Sequence, residues 1–148
     1  TREDFSSLKY VIVGAEKLKS TLAQAFTSTF GIVPLEGYGA TELSPVAAMN
    51  VPDTRIGKRT YTGNKPGTVG RTLPGIVAKV VDTETGHDLD NGESGLLLIK
   101  GANVMRGYLG KPEKTGEVIR CGWYATGDIA SIDDDGFITL TDRLSRFS

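Results

Sequence analysis

Residues 8–40 leave few topologies open. Leu8 to Val13, "LKYVIV", is an apolar run of strand length that stops at Gly14. Ser20 to Phe30 carries Leu22, Ala25, Phe26 and Thr29 at helical spacing, with Gly31 as a stop. A second short apolar run, "IVPLEGYG", then opens into a glycine loop. A strand, a helix and a strand in that order predict a βαβ unit with a parallel sheet. In such units ligands gather beyond the carboxyl ends of strands, where "VGAEKL" and "GYGATE" both fall.

After residue 51 the rhythm changes. Residues 52–67 are polar, with Gly57, Gly63, Lys65 and Pro66, and read as a loop or linker. Short strand candidates separated by turns follow: "IVAKVVD", "GLLLIKG", "GEVIRC", "YATGDIASID" and "GFITLTD". "DTETGHDLDNGESG" joins the first two as a long hairpin loop. The expected class is therefore α/β: an α/β part over 1–51, a linker over 52–67, and a mostly antiparallel β-rich lobe over 68–148, a distorted barrel. A length of 148 residues fits one domain, or two small lobes sharing a core. The chain starts at Thr1 without methionine and ends in the charged stretch "DRLSRFS", which reads as a piece of a longer polypeptide.

Composition removes several function classes. A net charge of −1 argues against a basic face for nucleic acid. One cysteine, Cys121, cannot form an internal disulfide, and a buried structural thiol is expected there. No apolar run approaches the roughly 18–20 residues that span a bilayer. His87, the single histidine, sits in a polar turn, so no histidine triad or zinc site can be assembled. "IDDDGF" lacks the spacing of a calcium loop and reads as a hairpin turn. "GKRT" lacks the earlier glycine of a phosphate loop.

A set of polar groups at loop positions survives. Glycines on both sides of Tyr38, Gly37 and Gly39, permit a tight turn and the close approach of another molecule to the main chain. The Tyr38 ring can stack on a planar base. The Thr41 hydroxyl can donate to a phosphate oxygen, and Glu42 nearby can hold magnesium, which prefers carboxylate and phosphate oxygens. In "GWYATGD", Asp128 can accept from both hydroxyls of a ribose. Arg143 adds a charge-assisted contact to the same sugar or phosphate. Each feature alone is more often a turn; together they describe base, phosphate, metal and ribose, an adenine nucleotide.

The order of these motifs resembles the AMP-binding, adenylate-forming superfamily of acyl ligases. "EGYGATELSP", "KPGTVGRTLPG", "GLLLIKGANVMRGYLG", "GWYATGDIASIDDDGFITLTDR" and "RLSRFS" carry the likeness over nearly the whole chain. "VGAEKL" resembles the family's adenine-pocket strand end, with Val13 in place of a first glycine. In finer wording the chain resembles the bacterial enzymes that join a 2-acylglycerophosphoethanolamine acyltransferase to an acyl-[acyl-carrier-protein] synthetase. One position departs from the family pattern: Ser145 stands at the hinge position where Asp or Lys is common; Asp142 stands in place of a glycine before Arg143, as in many members of the family.

The resemblance implies ATP-dependent activation of a fatty acid as its acyl-adenylate, with magnesium, then transfer to the thiol of acyl-carrier-protein or coenzyme A. It implies that Gly14, Ala15, Tyr38 and Gly39 line the adenine site, that Thr41 touches the α-phosphate and Glu42 holds magnesium, and that Asp128 and Arg143 bind the ribose. A phosphate loop upstream of Thr1 and a catalytic lysine downstream of Ser148 are implied too, so the 148 residues alone are expected to be inactive. A lysophospholipid partner would come through an acyltransferase part, and the expected location is the cytoplasmic face of the inner membrane. Two alternatives stand beside this reading: a long- or medium-chain acyl-CoA ligase of the same superfamily, and a non-catalytic β-rich interaction module whose polar groups face solvent without partners.

Overall fold

The computed structural model describes residues 3–144. Strand β1 (Val11–Val13), helix α1 (Ser20–Phe30) and strand β2 (Pro34–Gly39) form the expected βαβ unit, with β1 and β2 parallel from Val11 opposite Pro34 to Val13 opposite Glu36. Gly31 ends the helix in the left-handed conformation, φ 75°, and donates its N–H to the Thr27 carbonyl at 2.7 Å. A glycine there avoids the Cβ penalty of that conformation. The inner face of α1 differs from the expected stripe. Ala23, Phe26, Thr27 and Phe30 are half-buried, whereas Leu22, Ala25 and Thr29 are exposed. Phe5 explains the rotation: its ring packs against Phe30 at 4.5 Å and Phe26 at 6.2 Å between centroids, drawing the phenylalanine side inward.

Beyond β2 the chain makes a 3-10 turn, Thr41–Leu43, and returns as β3 (Val46–Met49), antiparallel to β2. The stretch read as a linker contains a small hairpin, β4 (Thr54–Ile56) with β5 (Arg59–Tyr61), all of it exposed. Strand β6 (Arg71–Thr72) closes the first sheet in the order β1-β2-β3-β6.

The second sheet is antiparallel throughout. It comprises β7 (Ile76–Val81), β8 (Gly95–Gly101), β9 (Ile119–Arg120), β10 (Trp123–Ile132) and β11 (Ile138–Arg143), in the order β11-β10-β8-β7 with β9 beside β10. The expected long hairpin between β7 and β8 is present, as is the tight turn of "IDDDGF", where the Asp133 carboxylate accepts the N–H groups of Asp135 and Phe137. "GEVIRC" is not one strand: its first half lies in helix α2 (Pro112–Val118), begun by a proline in the first turn. Cys121 is exposed, not buried, because it occupies the turn between β9 and β10 with φ 51°.

One core joins the two sheets. Tyr38, Leu43, Ala47, Ala48 and Val69 pack with Val80, Leu97, Ile99, Tyr124, Ala130 and Ile138. Main-chain bonds from Val69 to the Ile138 carbonyl (2.8 Å) and from Ile138 to the Gly70 carbonyl (2.9 Å) stitch the same seam. Buried Asn50 completes it, donating to the Thr68 carbonyl at 2.7 Å and accepting the Lys65 N–H at 2.9 Å. Because Leu97 is fully buried at this seam, Leu97→Ala is expected to cost about 2–5 kcal/mol in urea unfolding, the range for a cavity that closes only partly. A loss below about 1 kcal/mol would mean that the two sheets do not share a close-packed core.

Candidate functional site

Residues far apart in sequence meet where the two sheets abut. Tyr38, near the end of β2, donates its hydroxyl to Asp128 Oδ2 at 2.5 Å across 90 residues of chain. Asp128 is aimed there by a break in β10. The register with β8 shifts between Ala125 and Ile129, and Gly127 adopts φ 77° at that point. Such a bulge re-aims a side chain, and glycine permits the backbone angle. Thr126 fixes the break, donating to the Leu97 carbonyl at 2.9 Å and accepting the Asp128 N–H at 3.1 Å. Arg143 lies opposite Asp128 on β11, with Nε 3.6 Å from Oδ1. The arginine side chain is 65% exposed, so this pair is solvent-screened and weak.

A cavity of about 230 Å³ opens beside this pair. Among the expected site residues, Ala15, Tyr38, Gly39, Glu42, Asp128 and Arg143 line it. Gly14 and Thr41 do not; they line an adjoining cavity of about 300 Å³. The two cavities share Ala15, Gly37, Tyr38, Gly39 and Ala40, so the glycine-flanked tyrosine is their common wall. The Tyr38 ring is largely buried in the core, and only part of it borders the cavities.

The electrostatics around the Tyr38–Asp128 and Tyr108–Glu42 pairs turn on three phenols, with Glu16, Glu36 and Lys17 also lining the cavity. Burial, then the hydrogen bond to Asp128, pushes the Tyr38 hydroxyl well above its ordinary range. Burial, reinforced by the charge of Glu42, pushes Tyr124 up to about 12. The hydrogen bond to Glu42, then burial, raises Tyr108. All three stay protonated donors at neutral pH. Glu42 itself accepts from the Tyr108 hydroxyl at 2.8 Å. Among the described residues no cluster of three or more His, Cys, Asp or Glu could hold a metal unaided. One carboxylate in a cavity suits magnesium, whose remaining ligands are then phosphate oxygens and water.

Tyr108, Tyr124 and Glu36 line or support the site without having been singled out from sequence. Tyr108 and Tyr124 stand inside the motifs "MRGYLG" and "GWYATGD", and the glycine preceding Tyr108 was a usable signal. Glu36, one residue before the glycine loop, accepts the Leu18 N–H at 3.1 Å and ties the segment after β1 to β2. Ser145 lies outside the described residues.

The model of the family described as "AMP-binding enzyme" matches residues 1–109. The chain belongs to that family. It is 37% identical over 140 residues to a long-chain-fatty-acid–CoA ligase of Salmonella typhimurium, a match covering 95% of this chain and 23% of the relative. A rice (Oryza sativa subsp. japonica) protein named 4-coumarate–CoA ligase-like 6 is 40% identical over 148 residues, covering 98% and 23%. Among solved structures, ATP-bound MatB from Rhodopseudomonas palustris superposes with a TM-score of 0.83 at 34% identity, covering 97% of this chain and 27% of that one. This family member thus spans about a quarter of the length of the relatives it matches.

Proposed function

We propose that this chain is the nucleotide-handling segment of a longer ATP-dependent acid–thiol ligase that activates a fatty acid and transfers it to coenzyme A. The observation that carries the reading is the convergence of Tyr38, Asp128 and Arg143, from both sheets, and of Glu42, from the turn after β2, on one cavity. Names of the relatives, one a CoA ligase and one CoA ligase-like, support coenzyme A as the acceptor. In the first step a carboxylate oxygen of the fatty acid attacks the α-phosphorus of ATP. The bond to the bridging oxygen breaks and pyrophosphate leaves with its electron pair. In the second, a thiolate attacks the acyl carbon and AMP departs, leaving a thioester.

The chain's own groups would divide this work by place. Asp128, held by the Tyr38 hydroxyl, would accept from the ribose hydroxyls, with Arg143 beside it. Gly14, Ala15, Gly39 and the exposed part of the Tyr38 ring would border the base. Thr41 would donate to the α-phosphate. Glu42 would hold magnesium, which offsets the charge that builds on the phosphoryl oxygens. The module reading, with its groups facing solvent unpartnered, does not fit a Tyr38 bonded to Asp128 or a Glu42 bonded to Tyr108.

Carrier protein is the second acceptor, favoured by the motifs "LLIKGANVMRGYL" and "RLSRFS". With it would come the lysophospholipid partner and the inner-membrane location. The test is fatty-acid-dependent exchange of labelled pyrophosphate into ATP by the full-length ligase, followed by thioester formation on coenzyme A or on holo carrier protein. Exchange with a fatty acid and thioester on coenzyme A are expected. Exchange with thioester on carrier protein alone would move the reading to the second acceptor, and absence of exchange with every fatty acid tried would refute both.

A further inference from the structure

Glu42 is gripped from outside its own segment. It sits in the three-residue 3-10 turn Thr41–Leu43, which is too short to stiffen itself, and Ser44 follows with φ 53°. The loop after β8 crosses over and clamps this turn at three points. Met105 donates its N–H to the Glu42 carbonyl at 2.8 Å, and Asn103 Nδ2 donates to the Leu43 carbonyl at 2.9 Å. The Tyr108 hydroxyl donates to Glu42 Oε1 at 2.8 Å.

The clamp is itself braced. Tyr108 donates its N–H to Thr115 Oγ1 at 2.9 Å, and that hydroxyl donates to the Lys111 carbonyl at 3.0 Å at the start of α2. Thr115 presses so closely on Gly107 that a Cβ there would come within 2.7 Å of its methyl, and Gly107 has φ 146°. Only glycine fits before Tyr108, and the phenol is thereby aimed at one carboxylate oxygen. Among the described residues, Glu42 Oε2 accepts no protein hydrogen bond.

We propose that Tyr108 is a positioning residue: it fixes Oε1 of Glu42 so that Oε2 is presented to the magnesium carried by the nucleotide. This rests on the reading of Glu42 as the metal-holding carboxylate. A hydroxyl that orients a ligating carboxylate restricts its rotation before the cation arrives, and removal of such outer partners typically weakens metal binding about 10- to 100-fold.

The test compares Tyr108→Phe and Glu42→Gln with the parent in the full-length ligase. Mn2+ binding is read by electron paramagnetic resonance in the presence of the non-reacting α,β-methylene analogue of ATP, and AMP binding without metal is read by calorimetry. Both variants are expected to weaken Mn2+ binding about 10-fold or more, with AMP binding unchanged, which shows the cavity intact. If Glu42→Gln weakens Mn2+ binding and Tyr108→Phe does not, the role of Tyr108 is overturned and that of Glu42 stands. Should Glu42→Gln leave Mn2+ binding unchanged, both fall. Loss of Mn2+ and AMP binding together in Tyr108→Phe would mark general loosening and also overturn the positioning role.

Discussion

On the proposed reading, replacing Asp128 by Ala in the full-length protein should raise the apparent KM for ATP about 10- to 150-fold, with the KM for the acid substrate little changed. The range follows from about 1.5–3 kcal/mol for hydrogen bonds to a charged acceptor. Structure adds a second, separable effect. Tyr38 is 8% exposed and its hydroxyl donates to Asp128. Ala at 128 leaves that phenol buried without an acceptor, a further cost of about 1–3 kcal/mol in stability. The double variant Tyr38→Phe/Asp128→Ala removes donor and acceptor together and should recover most of that stability. Its KM for ATP should stay high, because the carboxylate is still missing. Asp128→Asn keeps an acceptor for Tyr38 while losing the charge, and should fall between. If KM for ATP does not move in Asp128→Ala while the melting temperature drops, Asp128 is a structural partner of Tyr38 and not a ribose contact.

Which parts of this were legible in the chain follows from how local their causes are. Helix α1 begins and ends where expected because Gly31 is a local stop, readable from one residue. Its inner face departs from the stripe its spacing predicts because Phe5, fifteen residues before the helix starts, decides which side turns inward. The hairpin β4–β5 has no buried face, so it leaves no alternation to detect. Helix α2 was hidden by the β-favouring Val118 and Ile119 at its end, although Pro112 was a usable start signal. Motif wording pointed to Tyr38, Glu42 and Asp128 one at a time. That the Tyr38 phenol meets Asp128, and the Tyr108 phenol meets Glu42 66 residues away, depends on how the two sheets pack, which no window of sequence contains. For the same reason Thr41 and Gly14 fall in a neighbouring cavity, although their motifs adjoin those of the main one.

Gly39→Ala should lower kcat/KM about 100-fold or more, whereas Gly37→Ala should leave stability nearly unchanged. The two glycines flank Tyr38 and look equivalent in sequence, but their surroundings differ. A Cβ on Gly39 would overlap the Pro45 carbonyl oxygen and lie 2.8 Å from the carbonyl carbon and 2.9 Å from Val46 Cα. Those are main-chain atoms of the return into β3, so no side-chain rotation relieves the collision. The strand ends would have to part where their register already shifts, between Tyr38 and Gly39. Thr41 and Glu42 sit in the turn between those ends, so each would be carried away from the cavity it lines. Displacement of about 1 Å in a positioned group can cost about 100-fold in rate, and the overpacking should cost about 3 kcal/mol in unfolding. A Cβ on Gly37 meets nothing closer than 3.4 Å, from the Ala48 carbonyl oxygen and Met49 Cβ. The strain there is small, and the backbone entropy gained by alanine, about 0.5–1 kcal/mol, offsets it. Unfolding curves and pyrophosphate exchange measured on both variants decide the matter. Equal stability of the two, with exchange preserved in Gly39→Ala, would mean that the close approach at Gly39 does not hold the Thr41–Leu43 turn in place.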